Sequence, residues 1–229
     1  MNMPFTIDQF MEVFANYNLA IWPVQIIAYL LGVAAVFFAI RKREYSGRVI
    51  SAVLSCFWIW NGAAYHISYF SRINKPAFAF GILFIFQGIL FFRSGVIKSS
   101  LNFRFKRDLS SVVGLFIVLY ALVLYPLIGH LFGHSFPHSP VFGVAPCPTT
   151  IFTFGLFLWS EKKLPLHLLL IPSIWAVVGG SAAAFLGIGE DIGLIVSGLI
   201  SVSITLLRSR RIKGAEVNRI GIVNAGGAH

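Results

Sequence analysis

The chain has 229 residues, of which 57% are apolar and only 11% charged, with a formal net charge of +10. A soluble domain carries roughly 25% charged residues, so the composition excludes an ordinary soluble fold. The basic residues gather in every second connection between apolar blocks, which marks topology and argues against a nucleic-acid partner.

Residues 1–18 lack the basic start of a cleaved leader. Thr6 and Gln9 are spaced as a capping box, and Phe10, Val13, Phe14 and Tyr17 share one face of the helix that box would open. The pattern predicts an amphipathic helix on the outer bilayer surface, an anchor in preference to a lid. Residues 19–207 then form the transmembrane domain, and residues 208–229 a basic, flexible cytoplasmic tail.

A helix needs about 20 apolar residues to cross the hydrocarbon. Seven blocks approach or reach that length: Leu19 to Ile40, Val49 to Phe70, Pro76 to Phe92, Val112 to His130, Val141 to Trp159, Pro165 to Leu186 and Ile192 to Leu207. The expected fold is therefore all-α, a polytopic membrane helix bundle of seven transmembrane helices. Arg41, Arg43, Arg48, then Arg93 and Lys98, then Lys162 and Lys163, then Arg208, Arg210 and Arg211 follow the odd-numbered blocks. The positive-inside rule puts the amino terminus outside and the carboxyl terminus in the cytoplasm.

The fifth block is broken at Pro146–Pro148, because proline cannot continue helical hydrogen bonding but suits a helix's first turn. A regular helix starting near Pro148 or Thr149 spans about half the hydrocarbon. Its amino end lies inside the membrane, so the irregular stretch Ser139 to Cys147 must be shielded from lipid. Such an end offers N–H groups and a positive dipole to a polar ligand. Cys147, Thr149 and Thr150, with Asn61 and Tyr65 of the second block, are the candidate ligand-binding residues. Cys56 is expected to pack as a small hydrophobe, with no disulfide to Cys147.

His130 and His134 are spaced i, i+4, and topology brings His66 and Glu190 to the same end of the bundle. These four are the candidate metal ligands, for a transition metal, or for haem held between two histidines. The competing explanation is interfacial histidines, with Glu190 and Asp191 capping a helix. None of the 18 Lys and Arg lies within a span, which disfavours a retinal-type Schiff base, a voltage sensor or a pump built on a buried carboxylate.

Asn61-Gly-Ala-Ala-Tyr-His66 and Pro146-Cys-Pro-Thr-Thr-Ile-Phe-Thr-Phe-Gly155 resemble segments of an uncharacterised family of bacterial multi-pass membrane proteins. The resemblance implies a bacterial inner (plasma) membrane and assigns no activity. Two functions follow from the residues. The first is a small membrane transporter or ligand-binding membrane protein, with an outward-facing polar cavity leading to the half-helix terminus. The second is a membrane-embedded metalloprotein with an outer-leaflet histidine cluster, extending to an enzyme acting on a lipid or quinone. The broken span favours the first, because breaking a membrane helix is costly unless the gap is lined or used. Its partners are the lipid bilayer and a small-molecule or ion ligand, an oligomer is permitted, and the cofactor, if any, is a transition metal or haem.

Overall fold

The computed structural model describes residues 5–226 apart from Lys42, with side chains described as far as Ser209. Residues 1–4 and 227–229, the ends of the expected outer helix and tail, lie outside the described residues. Among those described, the chain is helical throughout, with one isolated antiparallel bridge between Phe103 and Ser160.

Helix α1 (Ile7–Ala20) opens with the expected box: the Gln9 backbone N–H donates to the Thr6 hydroxyl, and the Thr6 N–H to the Gln9 side chain. It meets α2 (Val24–Ile40) at 88° across Pro23. Proline removes the N–H that would carry the helix through this corner. Its apolar face, however, rests on protein, with Met11, Val13, Phe14 and Tyr17 buried.

Helix α3 (Ser46–Trp60) runs on into a π-helical stretch, Asn61–Tyr69. Its i→i+5 hydrogen bonding widens the turn, so Asn61, both Tyr65 and His66, and Phe70 beyond it all face the interior. Helices α4 (Ala77–Phe91), with a π-helical end Phe92–Ile97, and α5 (Leu109–Leu119), joined through Tyr120–Leu124 to α6 (Tyr125–Leu131), follow. Then come the short α7 (Pro146–Leu158), α8 (His167–Leu186), a 3₁₀ turn Gly189–Asp191, and α9 (Ile192–Gly226).

Four of these are long and apolar enough to cross a membrane: Ala77–Ile97, Leu109–Leu131, His167–Leu186 and Gly189–Ser209. The α1–α2 pair makes a fifth if the bent pair counts as one span. The remaining two of the seven expected crossings are irregular. The second carries Asn61, His66 and several serines within its length, and the fifth is the 13-residue α7. The last helix also differs, continuing to Gly226 where a loose tail was expected after Leu207. No proline interrupts it between those points.

The burial pattern is the reverse of a water-soluble protein's. Leu30, Ile82, Phe116, Val177 and Leu199 are exposed, whereas Asn18, Gln25, Asn61, Gln87, Glu190 and Asp191 are buried. Cys56 is exposed too, on the outer face of α3, so it fills no gap in the core as expected. At the centre stands α7, every residue of which is buried, packed by α3, α5, α8 and α9. Close approach of α5 depends on paired glycines: a Cβ on Gly155 would lie 2.9 Å from the Gly114 carbonyl.

Candidate functional site

The backbone before α7 is irregular and buried from Phe142 to Ala145, so its polar groups need partners inside the protein. Side chains from two other elements supply them. The Asn18 amide donates to the carbonyls of Pro137 (2.7 Å) and Ser139 (2.8 Å). The Tyr17 hydroxyl donates to the Val144 carbonyl at 2.8 Å and accepts from the Trp60 indole. The Asn61 amide donates to the Gly143 carbonyl at 3.0 Å. Gly143 itself has φ +78°, and a Cβ there would stand 2.7 Å from that of Ala28, so both backbone and space require glycine.

The first turn of α7 differs from an open anion-binding end. Pro146 and Pro148 have no N–H, and the Thr149 N–H reaches the Ala145 carbonyl at 3.4 Å. The threonine hydroxyls turn back on their own helix, Thr149 to Ala145, Thr150 to Pro146 and Thr153 to Thr149. Thr149 and Thr150 thus seal the helix start and do not present hydroxyls to a ligand. At the far end, Arg208 of α9 donates to the Leu158 and Ser160 carbonyls (3.0 and 3.3 Å), giving α7 a cationic cap at the negative end of its dipole.

Beside the start of α7 lies a cavity of about 390 Å³. Phe10 and Phe14 of α1, Tyr65, Phe70, Phe80 of α4 and Trp175 of α8 form much of its wall, and Asp191 and Cys147 supply its carboxyl and its thiol. Pro76 and Val178, both exposed, stand at its rim. Gly179 makes room for the Trp175 indole, since a Cβ there would lie 2.9 Å from the ring. Helix α1 thus roofs a cavity, whereas its sequence suggested an anchor ahead of a lid.

Asp191 is buried and accepts a short 2.6 Å hydrogen bond from the Tyr125 hydroxyl. The Cys147 thiol lies beside the same carboxyl. The Trp175 indole N–H faces the Cys147 sulfur but completes no hydrogen bond of normal geometry. Next along the chain, Glu190 is fully buried, with one carboxyl oxygen 2.7 Å from His134 Nδ1 and the other without a partner. Glu190 and Asp191 are therefore not merely interfacial caps, and the sequence-based objection to a buried carboxylate does not hold.

Of the five candidate ligand-binding residues, Cys147 and Tyr65 line the cavity, whereas Asn61, Thr149 and Thr150 hold the backbone around it. The four candidate metal ligands do not converge. His134 meets Glu190, but His130 is exposed and bonds Ser135, and His66 is enclosed by rings, with Phe84 and Trp175 centroids at 4.6 and 4.9 Å. Both His66 nitrogens lack partners. Among the described residues, no group of three or more His, Cys, Asp or Glu is placed to hold a metal ion.

Sequence reasoning did not single out Trp175, Tyr125 and the α1 phenylalanines as site residues. Phe10 and Phe14 showed only as one face of α1, and the signal from Trp175 was aromatic content, which in an apolar chain is equally satisfied by lipid-facing packing. The arrangement as a whole can hold one small molecule against aromatic rings, with a carboxyl and a thiol at one end.

No curated protein and no solved structure matches the chain. The model of DUF6064, a family of unknown function, matches residues 7–216, and the chain belongs to that family.

Proposed function

We propose that this chain is a multi-pass membrane protein that binds, and in the full cycle transports, a small and largely apolar molecule carried in the cavity beneath α1. In this reading α2, α3 with its π-helical extension, α4, the α5–α6 helix, α7, α8 and α9 make seven crossings, with the amino terminus outside and the bilayer that of a bacterial inner membrane. The alternation of basic connections and the apolar outer surface support it.

The observation that carries the proposal is the aromatic cavity ending at Asp191 and Cys147, beside a helix that starts in the interior. A pocket of this size suits a small ligand, with few polar groups to orient it. A metal-centred reading is not carried forward, because His66, His130 and the His134–Glu190 pair do not converge: His130 bonds Ser135, and His66 has no polar partner.

The test compares uptake of neopentylbenzene by lipid nanodiscs containing the protein with uptake by empty nanodiscs. Saturable excess uptake is expected, and it should disappear in Ala183→Phe, which places a ring where Ala183 now lines the cavity. Equal uptake by loaded and empty nanodiscs, for this hydrocarbon and for its isosteric ammonium alike, overturns the reading.

A further inference from the structure

The charge of the site identifies the class of molecule, on the footing of the cavity reading above. No Lys or Arg lines the cavity among the described residues, and Asp191 is the acid on its wall, with Glu190 buried next to it in the chain. The groups facing Asp191 are Tyr125 from α6, Cys147 from α7, Tyr65 from the π-helical stretch, Tyr120 from the α5–α6 connection, Glu190 beside it and His134 beyond Glu190. Of these, His134 alone can carry positive charge, and it is committed to Glu190 at 2.7 Å. Asp191 has the Tyr125 hydroxyl as a hydrogen-bond donor but no cation of its own.

An anion entering this cavity meets the Asp191 carboxyl, and a neutral molecule gains only from burial. A cation gains from both the acid and the rings. Indole, phenol and phenyl faces attract cations through their quadrupoles, Trp most strongly. An alkylated ammonium is the form that suits apolar walls, because its substituents shield the charge and lower the cost of leaving water.

We propose that the cavity selects a small organic cation of the alkylammonium class, its charged head toward Asp191 and its apolar substituents among Phe14, Tyr65, Phe70, Phe80 and Trp175.

Benzyltrimethylammonium and neopentylbenzene have the same shape and differ by a nitrogen cation in place of a carbon, so the pair isolates charge. With protein-loaded nanodiscs corrected for empty ones, the cation should bind about tenfold or more tightly than its neutral counterpart, a ratio worth about 1.4 kcal/mol. Phenylmethanesulfonate, the matching anion, should not bind. Asp191→Asn should abolish the cation's advantage while neopentylbenzene is retained. Trp175→Leu should lower the cation-to-neutral ratio several-fold, and serves if the Asp191 variant does not fold. Equal or tighter binding of neopentylbenzene overturns the cation proposal and leaves the cavity reading standing; failure of both probes to bind overturns both. Undiminished cation preference in Asp191→Asn overturns the assignment to that carboxyl.

Discussion

Asn61 shows what a single amide does in an apolar interior. It donates to Phe57 and Gly143, tying the π-helical turn of one segment to the irregular start of another. Leaving a buried carbonyl unpaired costs about 1–3 kcal/mol. Asn61→Leu is therefore expected to lower stability by about that much, read as a reduced unfolding midpoint in detergent. His66 presents the opposite case, a buried ring with neither nitrogen partnered. His66→Phe removes an unsatisfied polar group from a cage of rings and should leave stability unchanged or raise it. A large loss would show that the imidazole has a partner in the working protein.

Asp108 caps α5 by accepting from the Ser111 N–H at 2.8 Å, and that bond leads in holding its carboxyl below the usual Asp range. Asp108→Ala should cost about 1 kcal/mol. Because the folded pKa is depressed, this contribution is complete above about pH 4, the ordinary Asp value, and is lost as pH falls through the lower folded value. The variant and the unaltered chain should thus converge in stability on acidification. A gap that persists in acid would mean the loss came from something other than the charged cap.

At the scale of elements, α7 depends on others at both ends. Its carboxyl end faces Arg208, and Arg208→Met should destabilise the fold by about 1–2 kcal/mol while keeping most of the side chain's apolar bulk. The prolines made the break in this span legible from sequence, as was the need to bury Ser139 to Cys147. What remained hidden was how that burial is achieved. Tyr17 reads as part of the apolar face of an interfacial helix and nothing singles out Asn18, yet both satisfy carbonyls far along the chain. The apolar face of α1 is equally content against lipid or protein, so the same pattern describes an anchor and a roof. Thr149 and Thr150 illustrate a related ambiguity, since a hydroxyl in an apolar helix can serve a ligand or its own i−4 carbonyl. Here both do the latter.

For the whole molecule, composition and block length were enough to set the helical class, because nothing else hides so many apolar residues. The number of regular crossings was less legible. The α3 segment trades apolar length for inward polar groups, and α7 trades length for a buried amino end. The orientation proposed from charge makes a direct prediction in a Cys56→Ser chain. Ser135→Cys should react with a membrane-impermeant maleimide in intact cells, and Ser99→Cys only after permeabilisation. The reverse pattern would invert the molecule and place the cavity's rim on the cytoplasmic side.

The two-ended dependence of α7 also constrains biogenesis. Carbonyl partners for the stretch before it come from Tyr17, Asn18 and Asn61, all synthesised earlier, but its carboxyl cap, Arg208, lies near the end of the last span. On the proposed membrane reading, insertion helix by helix would leave α7 waiting until α9 arrives, and the centre of the bundle would be completed last. A nascent chain truncated before α9 should accordingly leave Cys147 open to alkylation, and release of the final helix should close it.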